Sequence, residues 1–240
     1  MALPARQVPL PPGQAPVFPE ESRRRPRPLE VLAPLAPLVP GGLVPGTTVG
    51  VGGGPGATSL LLALVAGPSR SGCWCAAVGL PRLGARAAAE LGVDLGRMVL
   101  VPRPGDRWAA AAATLVDSLD LVVLSPPLGA PAALCRRLGA RARSRGAVLV
   151  VFGQGGEPVW GEPPDLSLVA ARAQWVGLGE GHGLLGARRL LVVSRGRRSF
   201  SGERTAWLWL PGPPGGPAQP GGLGPVAGAG PKGGVPGSGA

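Results

Sequence analysis

The stretch Thr47–Ala66, TTVGVGGGPGATSLLLALVA, decides the fold. Its first part, Thr47–Gly52, is short and β-prone. Its last part, Ser59–Ala66, is helical in composition and meets a stop signal at Gly67-Pro68. Between them lies a glycine loop. Strand, glycine loop and helix in that order let backbone N–H groups and a helix N-terminus receive phosphate. The complete pattern is Gly, four residues, then Gly-Lys-Ser/Thr. Here Gly56-Ala57-Thr58-Ser59 fills the last part, with Ala57 where the Lys belongs. Five residues before Gly56 stands Val51, so the loop is one residue short or its first Gly is displaced. Gly52, Gly53, Gly54, Gly56, Ala57, Thr58 and Ser59 are therefore the candidate phosphate loop, in degenerate form. No Lys or Arg nearby in sequence fills the gap. The backbone alone would hold an anion weakly, without the charge that assists γ-phosphate transfer. The same glycines also serve a tight strand-to-helix turn with no ligand, and for catalysis that is the reading the sequence favours.

Outward from this stretch the strand–helix rhythm continues. Cys73–Leu80 reads as a buried strand and Arg82–Leu91 as a helix. Met98–Val101 is a strand, Asp106–Val116 a helix, and Asp120–Leu124 a strand. Ala130–Ser144 is a helix and Ala147–Phe152 a strand. Continuous apolar strands alternating with helices predict a parallel sheet covered on both faces. After Gly153 the pattern changes. Leu166–Leu178, Ala187–Arg195 and Thr205–Leu210 alternate apolar with polar and predict antiparallel strands closing one edge.

The ends differ from the middle. Gly (42) and Pro (31) make up about 30% of 240 residues, at the threshold where disorder is the default reading. The excess concentrates in residues 1–50 and 211–240. Residues 1–28, with Arg23, Arg24, Arg25 and Arg27, read as a flexible arm, 29–210 as one domain, and 211–240 as a disordered tail. Leu29–Pro40 has Pro every third residue, which forbids a regular helix and predicts extended packing on the domain edge.

Ile, Asn and Tyr are absent, and one Lys stands among 24 basic residues. A genome of high G+C content explains this, so the net charge of +11 is weaker evidence for nucleic acid than it would otherwise be. The three Cys make neither a disulfide framework nor a metal set. No signal peptide and no apolar run of about 20 residues is seen, so the expectation is a cytoplasmic protein without membrane contact.

Other candidates divide between function and fold. His182, flanked by glycines, reads as a turn residue. Cys73 and Cys75 share one face of a strand and read as core. Ser125 has no partner base in any recognisable motif and reads as a strand terminator. Arg137, Arg141 and Arg145, four apart, line one helix face, widened by Arg136 and Arg143. That face is either solvated or a contact for DNA or an acidic partner. Arg188, Arg189, Arg195, Arg197 and Arg198 form a second such cluster. Trp207 and Trp209 share a face of the last strand, either closing the core or docking a partner.

Four segments together resemble the ATPase core of the RecA recombinase superfamily. They are GPGATSLLLAL, CWCAAVGL, AAELGVDLGRMVLVPRP and LDLVVLSPP, between Val49 and Pro127. The entry LAPLAPLVPGGLVPGTTVGV and the close GLGEGHGLLGARRLLVVSRGRR look most like the short, actinobacterial-type ImuA branch, with the division inhibitor SulA more distantly related. The resemblance covers roughly 29–200. It implies a RecA-like α/β core, mainly parallel, with an antiparallel C-terminal edge. It also implies partners: the polymerase-like ImuB and an error-prone DNA polymerase, with DNA and the nucleoid in reach. Three departures bear on activity. Ala57 replaces the phosphate Lys, Ser125 the magnesium-ordering acid, and Gly79-Leu80-Pro81 offers no water-polarising Glu. The expectation is a non-catalytic adaptor in damage-induced mutagenesis, needing no cofactor, with weak ATP binding left open. The alternatives are a divergent ATPase or a SulA-like division inhibitor.

Overall fold

A computed structural model describes residues 27–153, 155–156, 160–178 and 183–211. The flexible arm expected over residues 1–28, the disordered tail expected over 211–240 and the turn expected at His182 fall, but for residues 27, 28 and 211, outside the described residues.

Eight strands form one sheet: β1 Thr48–Gly53, β2 Cys75–Val78, β3 Met98–Val101, β4 Leu121–Leu124, β5 Val148–Phe152, β6 Leu166–Leu178, β7 Gly183–Gly196 and β8 Gly202–Trp209. Their order across the sheet is β3-β2-β4-β5-β1-β6-β7-β8. Four helices accompany them: α1 Ala57–Arg70, α2 Ala85–Glu90, α3 Trp108–Ser118 and α4 Ala132–Arg145. The sheet is parallel from β3 through β6, and β7 and β8 are antiparallel. This is the expected mixed α/β architecture with one correction. β6 pairs with β1 in parallel, so it is the last parallel strand and is antiparallel only to β7. Alternation reports which faces a strand buries; it does not report direction.

The two faces bury separate cores. On one, α1 and the Leu29–Leu43 segment cover Val49, Val51, Val148 and Val150. On the other, α3 and α4 cover Val122, Leu124, Leu149 and Val151. Residues alternate between these cores along each central strand, as a two-sided buried sheet demands.

The Leu29–Pro40 segment corrects a second expectation. It is not extended along an edge. Leu29 bridges Leu43, a 3₁₀ turn spans Ala33–Leu35, and Leu35, Leu38, Val39 and Leu43 are fully buried. Pro34 fits the start of a 3₁₀ turn because its φ is pre-set and its missing N–H is not needed there. Each such Leu contributes about 1.5–3 kcal/mol by burial, and this draws the segment inward against its backbone entropy.

Helix α1 corrects a third. It runs through Gly67 and Pro68 to Arg70. A Cβ at Gly67 would lie 2.5 Å from the Glu30 carbonyl oxygen and 2.8 Å from Val31 Cα. Gly67 is thus a crossing point for the N-terminal segment rather than a stop. Past the proline, Ser71 N–H donates to the Gly67 carbonyl and Cys73 N–H to the Pro68 carbonyl, closing the end.

Two aspartates level the strands. Asp120, just before β4, accepts from Trp74 N–H at 2.9 Å, just before β2. Asp165, just before β6, accepts from Thr48 N–H at 3.0 Å, at the start of β1. Each buried carboxylate satisfies an amide that the ladder has not yet reached.

Candidate functional site

The C-terminal edge of the parallel strands is where open α/β sheets bind ligands. Here it carries an open cavity of about 300 Å³ beside the glycine loop. Gly54, Pro55, Gly56, Ala57 and Thr58 line it from the loop, with Leu80, Arg82 and Leu83 from the β2–α2 turn and Phe152 at the end of β5. Gly52, Gly53 and Ser59 do not line it. Four of the seven sequence-chosen loop residues, Gly54, Gly56, Ala57 and Thr58, are therefore assembled on one cavity.

The loop backbone is largely committed elsewhere. Gly53 N–H donates to Gly156 O and Gly54 N–H to Ala170 O, both at 3.0 Å. Ala57 N–H turns back to Gly54 O at 3.2 Å, and Pro55 has no N–H. A phosphate cradle needs those donors pointing at the ligand. Gly53 and Gly56 have φ of +107° and +106°, which only glycine adopts without strain. A Cβ at Gly56 would also meet Leu190 Cδ1 at 2.6 Å. The glycines serve close packing of the loop against β6 and β7. The amides of Gly53, Gly54 and Ala57 are thus not offered to a ligand.

Ser59 points the other way. Its Oγ accepts from Arg188 Nη2 at 2.6 Å, while Arg188 Nε donates to the Leu210 carbonyl at 2.7 Å. Arg188 is 8% exposed and lies 5.1 Å from the Trp175 ring centre. Burial pushes its guanidinium below the ordinary arginine range. It is a structural staple between α1 and the end of β8. The basic group nearest the cavity is instead Arg82, far from the loop in sequence and brought there by the β2–α2 turn. Sequence reading missed it because the turn after β2 meets the loop after β1 only in space, the two strands being separated in the sheet by β4 and β5.

The second arginine cluster does not form one patch. Arg188 faces the core. Arg189, on the opposite face, lies 5.0 and 5.9 Å from the Trp207 and Trp209 ring centres. Arg195 pairs with Glu203 at 2.7 Å, and Arg197 donates to the Pro163 and Pro164 carbonyls. The side chain of Arg198 lies outside the described residues. Successive strand residues alternate sides, so a run of basic residues on a strand is split by the pleat.

On α4, Arg137, Arg141 and Arg145 do share a face. Arg141 grips Asp117 of α3 with two hydrogen bonds, 2.8 and 2.5 Å, and Arg145 adds a third at 3.0 Å. The Arg141 hydrogen bond, then charge, holds the Asp117 carboxyl below the usual carboxylate range. Arg137 lines an open cleft of about 500 Å³ between α3 and α4 with Ala109, Ala110, Ala113, Leu134 and Leu138.

Trp207 and Trp209 do not close the core. Leu208 and Leu210, fully buried, do that from the other face of β8. Ser125 ends β4, its N–H donating to Val78 O. Cys73, Cys75 and Cys135 are buried and in no disulfide, and burial pushes the Cys75 thiol up. Among the described residues no group of three or more His, Cys, Asp or Glu could hold a metal ion. No described helix is long and apolar enough to cross a membrane.

This sheet order, with a glycine loop at the end of β1, defines a RecA-like fold. The chain belongs to the family described as the MT3502 N-terminal domain, whose profile matches residues 37–159. It is 44% identical over 120 residues to the uncharacterised protein Rv3395c of Mycobacterium tuberculosis, covering 49% of this chain and 56% of that one. The chain thus spans little more than half the length of this relative. Among solved structures it is similar to the RadB recombinase, with TM-score 0.52, 18% identity and 73% and 92% of the two chains covered. It is also similar to the KaiC-like protein PH0186 of Pyrococcus horikoshii, with TM-score 0.58, 16% identity and 84% and 99% covered. At these identities the likeness concerns the fold.

Proposed function

We propose that this protein is a non-catalytic RecA-like adaptor of DNA-damage-induced mutagenesis, of the ImuA type. One observation carries the non-catalytic part. The loop at the end of β1 turns its Gly53, Gly54 and Ala57 amides to main-chain acceptors and presents Ala57 where a phosphate-binding Lys would stand. Ser125 and Gly79-Leu80-Pro81, at the ends of β4 and β2, add no acid. Charge stabilisation and metal ordering for phosphoryl transfer would both be missing. ATP binding is at most weak in this reading, and no cofactor is required.

The mutagenesis part rests on the sequence resemblance to ImuA quoted above. The partners would be the polymerase-like ImuB and an error-prone polymerase, in the cytoplasm and at the nucleoid. Arg137, beside the α3–α4 cleft, suits an acidic segment of such a partner. Co-purification tests this. The full chain should retain the polymerase-like protein, and Arg137→Glu should reduce recovery several-fold. A chain cut before residue 212 asks whether the remaining residues add to the contact. Micromolar, magnesium-dependent ATP binding with turnover would instead favour a divergent ATPase. Filamentation on overexpression, with no polymerase recovered, would favour a division inhibitor.

A further inference from the structure

The core beneath α3 and α4 stops at β5 and includes no residue of β6, β7 or β8. On that side the three-stranded wing presents its own face. Register places Trp207 opposite Leu191, Trp209 opposite Arg189, and Arg172 opposite Leu191. Trp207, Trp209, Leu191, Val193 and Arg189 are half-buried, and Arg172 is exposed. Leu208, from the same strand, and Leu210, just past its end, face the core, so the tryptophans stay on the surface by register.

The charge on this face is unbalanced. Glu203 is engaged by Arg195. Arg172 and Arg189 have no carboxylate partner among the described residues. Arg189 sits against both indole rings, and its buried Nε has no hydrogen-bond acceptor. That Nε is enclosed, so a phosphate would meet only the exposed part of the Arg189 side chain, through a charge-assisted hydrogen bond.

We infer that this β6–β7–β8 face binds single-stranded nucleic acid, with Trp207 and Trp209 stacking bases and Arg172 and Arg189 meeting phosphates. Aromatic faces beside a cationic track form the general platform for unpaired strands. Alternate residues of a strand lie about 7 Å apart, twice the 3.4 Å rise of a stacked strand. The rings therefore suit bases of an extended, unstacked strand and cannot reach bases inside a duplex. An acidic peptide would satisfy the arginines and leave the paired indoles without a role. This assignment is independent of the mutagenesis reading, since a polymerase partner can be present or absent either way.

The test is anisotropy of a labelled oligothymidylate of roughly 20 nucleotides with the full chain at low and moderate salt. The strand should bind more tightly than a duplex of equal length. Trp207→Ala and Trp209→Ala should each weaken binding about tenfold, and Trp207→Phe should recover much of it. Arg172→Ala should reduce the salt slope by about one. Circular dichroism of each variant separates loss of binding from loss of fold. Duplex bound as tightly as single strand, affinity indifferent to both tryptophans in folded variants, or equal displacement by polyglutamate at matched charge would each overturn the assignment.

Discussion

At the scale of single residues, a position's surroundings can reverse its intrinsic preference. In an isolated helix Gly67→Ala would stabilise by about 1 kcal/mol. Here the new methyl would strike the Glu30 carbonyl and Val31 Cα, and forcing atoms into a packed site costs about 1–3 kcal/mol. Neither neighbour is a side chain that can rotate away. Gly67→Ala is therefore expected to lower the urea midpoint, a net loss of up to about 2 kcal/mol. An unchanged or raised midpoint would mean that the N-terminal segment does not cross α1 there. The candidate loop obeys the same logic. The sequence offers Gly53 as a phosphate contact, yet a Cβ there would lie 2.5 Å from the Ala170 carbonyl oxygen. The residue type was legible in sequence; its neighbour was not, because Ala170 is more than a hundred positions away.

Between elements, α3 and α4 are tied by Asp117 with Arg141 and Arg145. Asp117 is only partly exposed, and it takes two arginines at once. A three-member network of this kind is worth about 0.5–1 kcal/mol rather than nothing. Asp117→Asn should destabilise the chain by that amount near pH 7. The arginines lower the folded carboxyl's pKa, so the contribution is complete above the unfolded value of about 3.9. It disappears as pH falls through the lower folded value. Wild type and variant should thus differ in midpoint at pH 6 to 7 and converge below about pH 4. A gap that persists in acid would assign the loss to packing. This pair also shows what helix periodicity can deliver. Four-residue spacing put Arg137, Arg141 and Arg145 on one face, as found, whereas the partner Asp117 belongs to another helix and was invisible.

For the whole molecule, protection should follow the two-sided burial. β1, β4 and β5 are buried on both faces, while β3 is half-exposed and β8 has one open face. Amide exchange read by mass spectrometry should be slowest in β1, β4 and β5 and faster in β3 and β8. Uniform exchange across the sheet would show instead that the wing and the central strands open together.

Much of this was written in local sequence. Strand–helix alternation and the apolar runs made a mainly parallel α/β sheet legible, because side-chain periodicity and backbone freedom act over a few residues, and the resemblance of four segments pointed to its RecA-like form. The direction of β6, the inward fold of Leu29–Pro40 and the continuation of α1 past Pro68 were decided by packing partners distant in the chain. The same holds for the site. Ala57 in place of Lys is a sequence fact. That the loop's amides bond to Gly156 and Ala170, that Ser59 turns to Arg188 and that Arg82 lines the cavity depend on which strand ends the sheet order brings together. Hydrogen bonds and close contacts act across a few ångströms of space, whatever the separation along the chain.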